Sequence, residues 1–287
     1  MDSLTDIGAL RDLLARHGFH FSKRLGQNFL INPTVCPRMA EACGAGPGRG
    51  VLEIGPGVGV LTRELALRAD KVVAVEVDAR LLPLLAETVG GQSHVTVLQG
   101  DAMRMDLSAL VKEQFGGMPV SVCANLPYYI TSPLLMRLLE SRLPVDNITV
   151  MVQKEAATRL CARPGTRECG AVSFAVQYYA QAEKLFEVSR GSFLPAPQVD
   201  STVIRLRVRE APPCRVEDEG VLFRLVRTAF GQRRKTLANA VASAVGKERA
   251  AAAMAACGIP ATARAEELEL SAFARLADAL AGQPAGR

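Results

Sequence analysis

Strand-like and helical segments alternate between residues 51 and 153, and this alternation restricts the fold more than any other feature of the sequence. Short β-branched or apolar runs are followed by segments with helical periodicity. Strands that alternate with helices form βαβ units, in which the strands pair in parallel and helices cover the sheet. We therefore predict an α/β fold. The predicted strands are 51–54, 71–77, 95–99, 120–124 and 148–153, and the helices are 60–68, 79–88, 133–141 and 154–160.

The flanking segments predict further elements and a second, helical domain. Pro195 and Pro197 favour an extended turn over a helical crossover, so the strands on either side of them are expected to be antiparallel neighbours. Beyond residue 218 the periodic segments are helical and end at glycines. We predict a sheet domain at 1–210 and an all-helical domain at 211–287. The additional elements are helices at 4–16, 33–43, 170–179, 220–230, 235–245 and 248–257 and strands at 182–188 and 202–208.

Composition argues against several classes of protein. The net charge of +5 permits an anionic partner without requiring one. No two of the seven cysteines form a C-x-x-C pair, and Gly18 between His17 and His20 is expected to end a helix, so we predict no metal or redox site. No apolar run reaches the ~18 residues of a membrane span. The acidic N-terminus, with Asp2 or Ser3 capping the first helix, is unlike a secretory signal. We expect a soluble, cytoplasmic monomer without a membrane partner.

Three predicted strand ends indicate a nucleoside cofactor. Gly55 opens a glycine-rich turn that lets the backbone pass close to a ligand. The dinucleotide fingerprint fails, because Val60 occupies the position of its last glycine. Glu76 can accept both ribose hydroxyls, and Asp101 can accept a bond from the adenine 6-amino group, although a surface acid and a turn residue are the alternatives. An adenosine with a sulfonium arm fits these features better than a dinucleotide does.

A fourth strand end carries side chains suited to a planar base. Asn125 follows the apolar run 120–124, and Pro127 cannot continue a central strand because it lacks an N–H. The carboxamide oxygen of Asn125 can accept a hydrogen bond from an exocyclic amine, and the ring of Tyr128 can stack on a base. These features suggest a pocket that binds adenine by its amino group. A strand end followed by a proline turn explains this stretch equally well when it is taken alone.

The motifs of the chain, taken in order, closely resemble those of the small-subunit ribosomal RNA adenine dimethyltransferases of the dimethyladenosine transferase type. The match covers essentially the whole length. The matching segments are Lys23–Leu30, Glu53–Gly59, Glu76 with Asp78, Gly100–Ala102, Asn125–Ile130, Met151–Glu155, Phe193–Ser201 and Phe230–Leu237.

This resemblance implies a Rossmann-like, seven-stranded class I methyltransferase core with a smaller all-helical C-terminal domain that binds RNA. The implied reaction dimethylates N6 of two adjacent adenosines in a hairpin near the 3′ end of small-subunit rRNA, within the immature small ribosomal subunit. The residues that the resemblance assigns to the S-adenosylmethionine site are Asn28, Leu30, Gly55, Glu76, Asp101 and Asn125.

For this chemistry we expect catalysis by positioning and electrostatics around the nitrogen. The side-chain oxygen of Asn125 and the backbone carbonyl of Leu126 would each accept an N6–H bond. Tyr128 would stack on the base, and Phe193 would close its other face. Phosphate contacts are expected from basic residues, although each alone is equally well interpreted as a solvated charge. These basic residues are Lys23, Arg24, Arg224, Arg227, Arg233, Arg234 and Lys235.

Three alternatives stay open on the sequence. A NAD-dependent oxidoreductase is disfavoured by the missing third glycine. A non-catalytic RNA-binding or assembly factor is disfavoured, as a sole role, by the intact acidic and amide positions. A large-subunit rRNA adenine methylase of the resistance type is the alternative within the methyltransferases, and the basic segment near Arg233 favours the small-subunit enzyme by resemblance.

Overall fold

The structure is a computed structural model that describes residues 4–281. The chain forms two compact units. The first combines the residues up to Ala157 with Gln181–Val208, and the second combines Thr158–Ala180 with the residues from Arg209 onward. The predicted division at residue 210 left 158–180 in the sheet domain, whereas the structure places this segment in the helical unit.

The strands are, in chain order, β1 (Phe29–Leu30), β2 (Gly50–Ile54), β3 (Lys71–Glu76), β4 (Val95–Gln99), β5 (Val120–Asn125), β6 (Asn147–Gln153), β7 (Ala180–Val188), β8 (Phe193–Leu194) and β9 (Ser201–Val208). Seven of them form one sheet in the order β4-β3-β2-β5-β6-β9-β7, and β1 and β8 form a separate antiparallel ladder. Strands β2 to β6 pair in parallel, and β9 pairs antiparallel with β6. The strand order reverses between β2 and β5, and ligands of open α/β sheets bind outside the carboxyl ends of the strands at such a point.

The helices are α1 (Ile7–Arg16), α2 (Val35–Ala42), α3 (Val60–Ala66), α4 (Leu82–Thr88), α5 (Leu107–Phe115), α6 (Thr131–Glu140), α7 (Lys154–Leu160), α8 (Ala171–Tyr179), α9 (Glu219–Gly231), α10 (Leu237–Val245), α11 (Lys247–Ala256) and α12 (Leu270–Ala281). The sequence patterns did not predict α5 or α12. Both have an apolar face that is buried within their own unit. The fold class predicted from the alternation and the resemblance is confirmed.

The first helix begins later than predicted. Asp6 caps α1, because its side chain accepts a hydrogen bond from the N–H of Ala9 at 2.8 Å. Asp2 and Ser3, the predicted caps, lie outside the described residues. The N–H groups of the first helical turn have no partner within the helix, and the carboxylate of Asp6 accepts a hydrogen bond from one of them. This cap explains why the helix starts at Ile7.

Strand β2 lies inside the sheet, between β3 and β5, and all five of its residues are buried. Its neighbours β3 and β5 are almost as deeply buried, as expected for parallel strands covered on both faces. Val51 packs in a cluster with Cys36 of α2 and with Leu61 of α3. Glu53 lies on the same face as Val51, because side chains alternate along a strand, and it is the one charged residue of β2.

The second unit is built around aromatic rings, which explains why it includes 158–180. The ring of Phe174 in α8 lies 5.0 Å from that of Phe273 in α12 and 5.3 Å from that of Phe230 in α9. The hydroxyls of Tyr178 and Tyr179 both donate to the carboxylate of Glu219, at 3.0 and 3.2 Å. Helix α8 therefore supplies much of the core of this unit, although it precedes two strands of the sheet in the sequence.

Two kinds of feature are absent from residues 4–281. None of the helices there combines the length and the hydrophobicity needed to cross a bilayer. Within the same residues, no three His, Cys, Asp or Glu side chains are grouped closely enough to hold a metal ion.

Candidate active site

A cavity of about 450 Å³ opens in the first unit at the carboxyl ends of β2, β3, β4 and β5. All of the residues predicted to bind the cofactor or the target base line this cavity, although they come from distant parts of the sequence. They are Asn28, Leu30, Gly55, Glu76, Asp101, Asn125, Leu126, Tyr128 and Phe193.

The glycine-rich turn after β2 needs its glycines. Gly55, Gly57 and Gly59 have φ angles of 72°, 61° and 89°, in the left-handed region that other residues rarely adopt. A Cβ on Gly57 would lie 3.2 Å from the ring of Phe29, which also lines the cavity. The turn therefore presents backbone, rather than side chains, to whatever enters the cavity.

Glu76 ends β3 and is only 4% exposed. Its Oε1 accepts from the N–H of Asp78 at 2.8 Å, and its Oε2 accepts from the N–H of Gly57 at 3.3 Å. Burial raises the pKa of this carboxyl group, and the two backbone donors partly offset the shift. The carboxylate is thereby held at the end of its strand, next to the glycine-rich turn.

Asp101 follows β4 and holds its own turn. Its Oδ1 accepts from the N–H of Met103 at 2.9 Å, and its Oδ2 lies 3.4 Å from Nε of Arg104. The side chain keeps 40% of its surface exposed. Asp101 is thus a turn residue, as the alternative interpretation proposed, and its carboxylate also borders the cavity.

Asn125 ends β5, and a hydrogen bond fixes the orientation of its side chain. Its Nδ2 donates to the backbone carbonyl of Asn28 at 3.3 Å, and Nδ2 of Asn28 donates to the carbonyl of Gly26 at 3.0 Å. Because the amide nitrogen of Asn125 is engaged, its Oδ1 is the atom that is presented as an acceptor. The loop before β1 therefore orients the residue on which the predicted chemistry depends.

Two aromatic residues reach the cavity by different routes. Tyr128 lies in a short 3₁₀ turn after Pro127, and its hydroxyl shares a hydrogen bond of 2.7 Å with Oγ of Ser201. Burial raises the pKa of Tyr128, so the phenol stays neutral. Phe193 in β8 pairs with Leu30 in β1. This ladder brings Phe193, which follows β7 in the sequence, to the wall of the cavity.

Sequence reasoning assigned no individual role to several residues of this cavity. Gln27 donates from Nε2 to Oδ2 of Asp78 at 2.8 Å, and its Oε1 accepts from the N–H of Ser22 at 2.8 Å. Tyr129 keeps 57% of its surface exposed while it lines the same cavity. Glu53, which precedes the glycine-rich turn in β2, also lines the cavity. Its position inside an apolar strand was the signal that could have marked it.

The predicted RNA-binding residues fall into two groups. Lys23 and Arg24 lie in a 3₁₀ turn of the first unit, and Arg24 is exposed at the cavity. The other five are exposed on the second unit, namely Arg224, Arg227, Arg233, Arg234 and Lys235.

Arg233 differs from the other four, because its guanidinium has structural partners. Its Nη2 donates to the carbonyl of Arg167 at 2.9 Å and also to the carbonyl of Cys169. The guanidinium carbon lies 5.7 Å from the centre of the Phe230 ring. The side chain therefore joins the loop before α8 to the end of α9 within the second unit.

Comparison with known proteins identifies the family. The sequence model of the ribosomal RNA adenine dimethylases matches residues 18–282. The chain belongs to this family. It is 47% identical over 279 residues to ribosomal RNA small subunit methyltransferase A of Geobacillus thermodenitrificans, with 95% of each chain covered. It is 46% identical over 276 residues to the protein of the same name from Bacillus cereus, with 94% of each covered.

Solved structures support the same assignment. A dimethyladenosine transferase from Plasmodium falciparum has a TM-score of 0.74 at 26% identity, covering 86% of this chain and 95% of that one. The 23S rRNA methyltransferase ErmE has a TM-score of 0.67 at 27% identity, covering 88% and 100%. The predicted family, enzyme class and S-adenosylmethionine cofactor are confirmed, and the oxidoreductase alternative is wrong.

Proposed function

We propose that this protein transfers methyl groups from S-adenosylmethionine to N6 of two adjacent adenosines in a hairpin near the 3′ end of small-subunit rRNA, and so takes part in small-subunit biogenesis. The observation that carries the proposal is Asn125, which lines the same cavity as the cofactor-site residues and whose amide nitrogen is held by the carbonyl of Asn28. The names of the relatives at 46–47% identity specify the small subunit. ErmE, which is named for 23S rRNA, is 27% identical.

The residues of the cavity suit the cofactor. Acidic side chains at the ends of the adjacent strands β3 and β4 can bond ribose hydroxyls and an adenine amine, and the turn at Gly55 leaves room for a ligand beside the backbone. When it is bound, S-adenosylmethionine supplies a methyl group on a positively charged sulfur. The residues that would hold it are Asn28, Leu30, Gly55, Glu76, Asp101 and Asn125.

The protein's own groups orient the nitrogen that is methylated. Oδ1 of Asn125 and the backbone carbonyl of Leu126 each accept one N6–H, which draws the lone pair out of conjugation with the ring. After the first transfer only one N–H remains, so one of the two acceptors loses its partner. Tyr128 and Phe193 contact the two faces of the base. The base must first leave its stack in the RNA, at a cost of a few kcal/mol.

RNA binding would depend on exposed positive charge together with the shape of the hairpin. Arg24 lies at the cavity, where it can contact the phosphates next to the target base. On the second unit the same role falls to Arg224, Arg227, Arg234 and Lys235, which are exposed. We propose that Lys23 and Arg233 contact phosphates as well. We further propose that the protein acts as a monomer in the cytoplasm.

The test is a methylation assay with radiolabelled S-adenosylmethionine and small ribosomal subunits that lack the modification. Digestion of the rRNA should yield labelled N6,N6-dimethyladenosine from two adjacent positions, and the Asn125→Ala variant should yield almost none. Large subunits in a parallel reaction test the resistance-type alternative. Label in large-subunit RNA, or its absence from small-subunit RNA, would refute the proposed substrate.

A further inference from the structure

Tyr129 is an exposed aromatic residue of the cavity for which the proposed mechanism has no role. It keeps 57% of its surface exposed and lines the cavity beside Tyr128. Among the other large hydrophobic residues exposed within residues 4–281, only Val77 also lines the cavity, and it follows the cofactor-site acid Glu76. Tyr129 instead follows the segment 125–128, which we assign to the target base. An exposed ring therefore lies next to the proposed base pocket.

The 3₁₀ turn after Pro127 directs its two consecutive tyrosines to different places. Such a helix has three residues per turn, so neighbouring side chains project about 120° apart around its axis. Tyr128 is partly buried and its hydroxyl bonds to Ser201, whereas Tyr129 stays at the surface. Because consecutive Cα atoms are about 3.8 Å apart, the outer ring starts directly beside the inner one. One ring can serve the base in the pocket, and the other can serve a base just outside it.

The ring of Tyr129 packs on the loop that precedes β1. A Cβ built on Gly26 would lie 3.4 Å from Cδ1 and 3.6 Å from Cε1 of this tyrosine. Gly26 also has a φ of 58°, so a larger residue there would be strained. The contact restricts the ring before RNA arrives, which lowers the entropic cost of binding.

The ring of Tyr129 has no aromatic partner among residues 4–281. Phe21, the other exposed aromatic residue of this part of the chain, differs in this respect. Its ring centre lies 5.9 Å from that of Phe19 and 5.2 Å from that of Phe29. Phe21 thus belongs to an aromatic cluster of the protein, while Tyr129 is available for a planar ligand.

An exposed arginine lies in the same loop. Arg24 precedes Gly26 by two residues, is exposed and lines the same cavity. Proteins bind single-stranded nucleic acids by combining positive charge along the backbone with aromatic rings on which bases stack. Arg24 and Tyr129 supply this combination at one cavity. A phosphate joins the target nucleotide to each of its neighbours, so the charge and the ring suit parts of one dinucleotide.

We propose that Tyr129 stacks on the base next to the adenosine that is being methylated. The ligand is a single-stranded RNA nucleotide of any sequence, since every base has a face on which an aromatic ring can stack. In one of the two successive reactions this neighbour is the other target adenosine. The inference rests on the proposed function, because it requires an adenosine in the pocket.

The experiment measures the affinity of the full-length protein for an RNA hairpin with a single adenosine in its loop. The protein is saturated with S-adenosylhomocysteine, which has no methyl group to transfer. Two further hairpins lack the base on the 5′ or the 3′ side of the adenosine. Tyr129→Ala should weaken binding of the intact hairpin about fivefold or more.

The abasic hairpins show whether the ring contacts the neighbouring base. Removing the base on one side should weaken binding by the wild type and leave it equal in affinity to Tyr129→Ala. Removing the base on the other side should leave the difference between the two proteins unchanged. If Tyr129→Ala caused no loss, or a loss that persisted with both abasic hairpins, the proposal would be overturned.

Two variants serve as controls. Tyr129→Phe keeps the ring and should bind the intact hairpin as the wild type does, and a loss equal to that of Tyr129→Ala would assign the effect to the hydroxyl and overturn stacking. Leu67→Ala removes a side chain that is 74% exposed but does not line the cavity, and it should leave RNA affinity unchanged. An equal loss in Leu67→Ala would show that the effect is not specific to the ring and would overturn the proposal.

Cofactor binding and methylation separate this inference from the function on which it rests. Tyr129→Ala should bind S-adenosylhomocysteine as the wild type does, which also shows that it is folded, and weaker binding would place the ring in the cofactor site and overturn the proposal. The hairpin needs no ribosomal sequence, so coupling between the ring and one neighbouring base without methylation of small subunits would refute the rRNA substrate alone. Normal methylation without this coupling would refute the role of Tyr129 alone.

Discussion

The cavity of the first unit and the basic surface of the second use polar side chains in opposite ways. In the cavity, Glu76 and Asn125 end buried strands and hydrogen-bond to backbone groups, Glu76 to the N–H groups of Asp78 and Gly57 and Asn125 to a carbonyl of the loop before β1. On α9, Arg224 and Arg227 are exposed while their neighbours are buried. Positions fixed by strand register should give large and specific mutational effects, whereas exposed charges should give small effects that depend on salt.

The largest effect is expected at the end of β5. Asn125→Ala removes the oxygen that we propose orients the target nitrogen, and loss of one such electrostatic contact typically costs about 10²–10³ in rate. The single-turnover methylation rate should fall by this amount, while RNA affinity in a filter-binding assay changes little. The effect would then belong to chemistry rather than to binding.

A second asparagine provides the control. Asn147 begins β6 and donates to the carbonyl of Cys43 at 3.0 Å and to Oγ of Ser121 at 3.1 Å, away from the residues that line the cavity. Asn147→Ala should lower stability and leave the single-turnover rate of the folded protein within a few-fold of wild type. Equal rate losses in the two variants, or weakened RNA binding as the whole effect of Asn125→Ala, would contradict the assigned role.

A smaller effect is expected at Tyr128, where stacking and hydrogen bonding can be separated. Tyr128→Ala should lose roughly 1–3 kcal/mol of base stacking, measured as a lower rate at subsaturating RNA. Tyr128→Phe keeps the ring and loses only the bond to Ser201, at a cost of about 1 kcal/mol. If the two variants were equally impaired, the hydroxyl rather than the ring would be the important group.

The residues of the site differ in how well the sequence alone predicts them. Glu76, Asp101 and Asn125 were predicted from the sequence because each lies at or just past a strand end, and strand ends meet at one edge of a parallel sheet; all three line the cavity. Asn28 and Leu30 were predicted only through the resemblance. The short ladder between β1 and β8 positions this segment, and no local sequence pattern indicates a pairing between such distant residues.

Exposed charge was less predictable than strand ends. Arg233 appeared in the sequence as one of a basic run, yet it donates to two backbone carbonyls of its own unit. Its neighbours Arg234 and Lys235 have the same charge, and all three residues are exposed. Charge alone therefore does not separate a structural arginine from a phosphate-binding one, because the partners of Arg233 lie more than sixty residues earlier in the chain.

The smallest effects are expected at this pair of adjacent arginines, and they should differ in kind. Arg234→Ala should leave the urea midpoint of the protein unchanged and reduce the slope of log RNA affinity against log salt by about 0.7, the value for one phosphate of a single strand. Arg233→Ala should reduce this slope in the same way and, in addition, lower the free energy of unfolding by about 1 kcal/mol, since two backbone carbonyls lose their donor.

The comparison of the two arginines needs both measurements on both variants. Arg233→Lys retains the charge but cannot reproduce the two-carbonyl geometry of a guanidinium, so it should restore the salt slope without restoring stability. A reduced slope at residue 233 that lysine rescues, with unfolding unaffected throughout, would make this residue a phosphate contact without a structural role. In that case the hydrogen bonds to the carbonyls of Arg167 and Cys169 would contribute little to stability. Arg233 would then behave like the other exposed arginines of the second unit and unlike the polar side chains of the cavity.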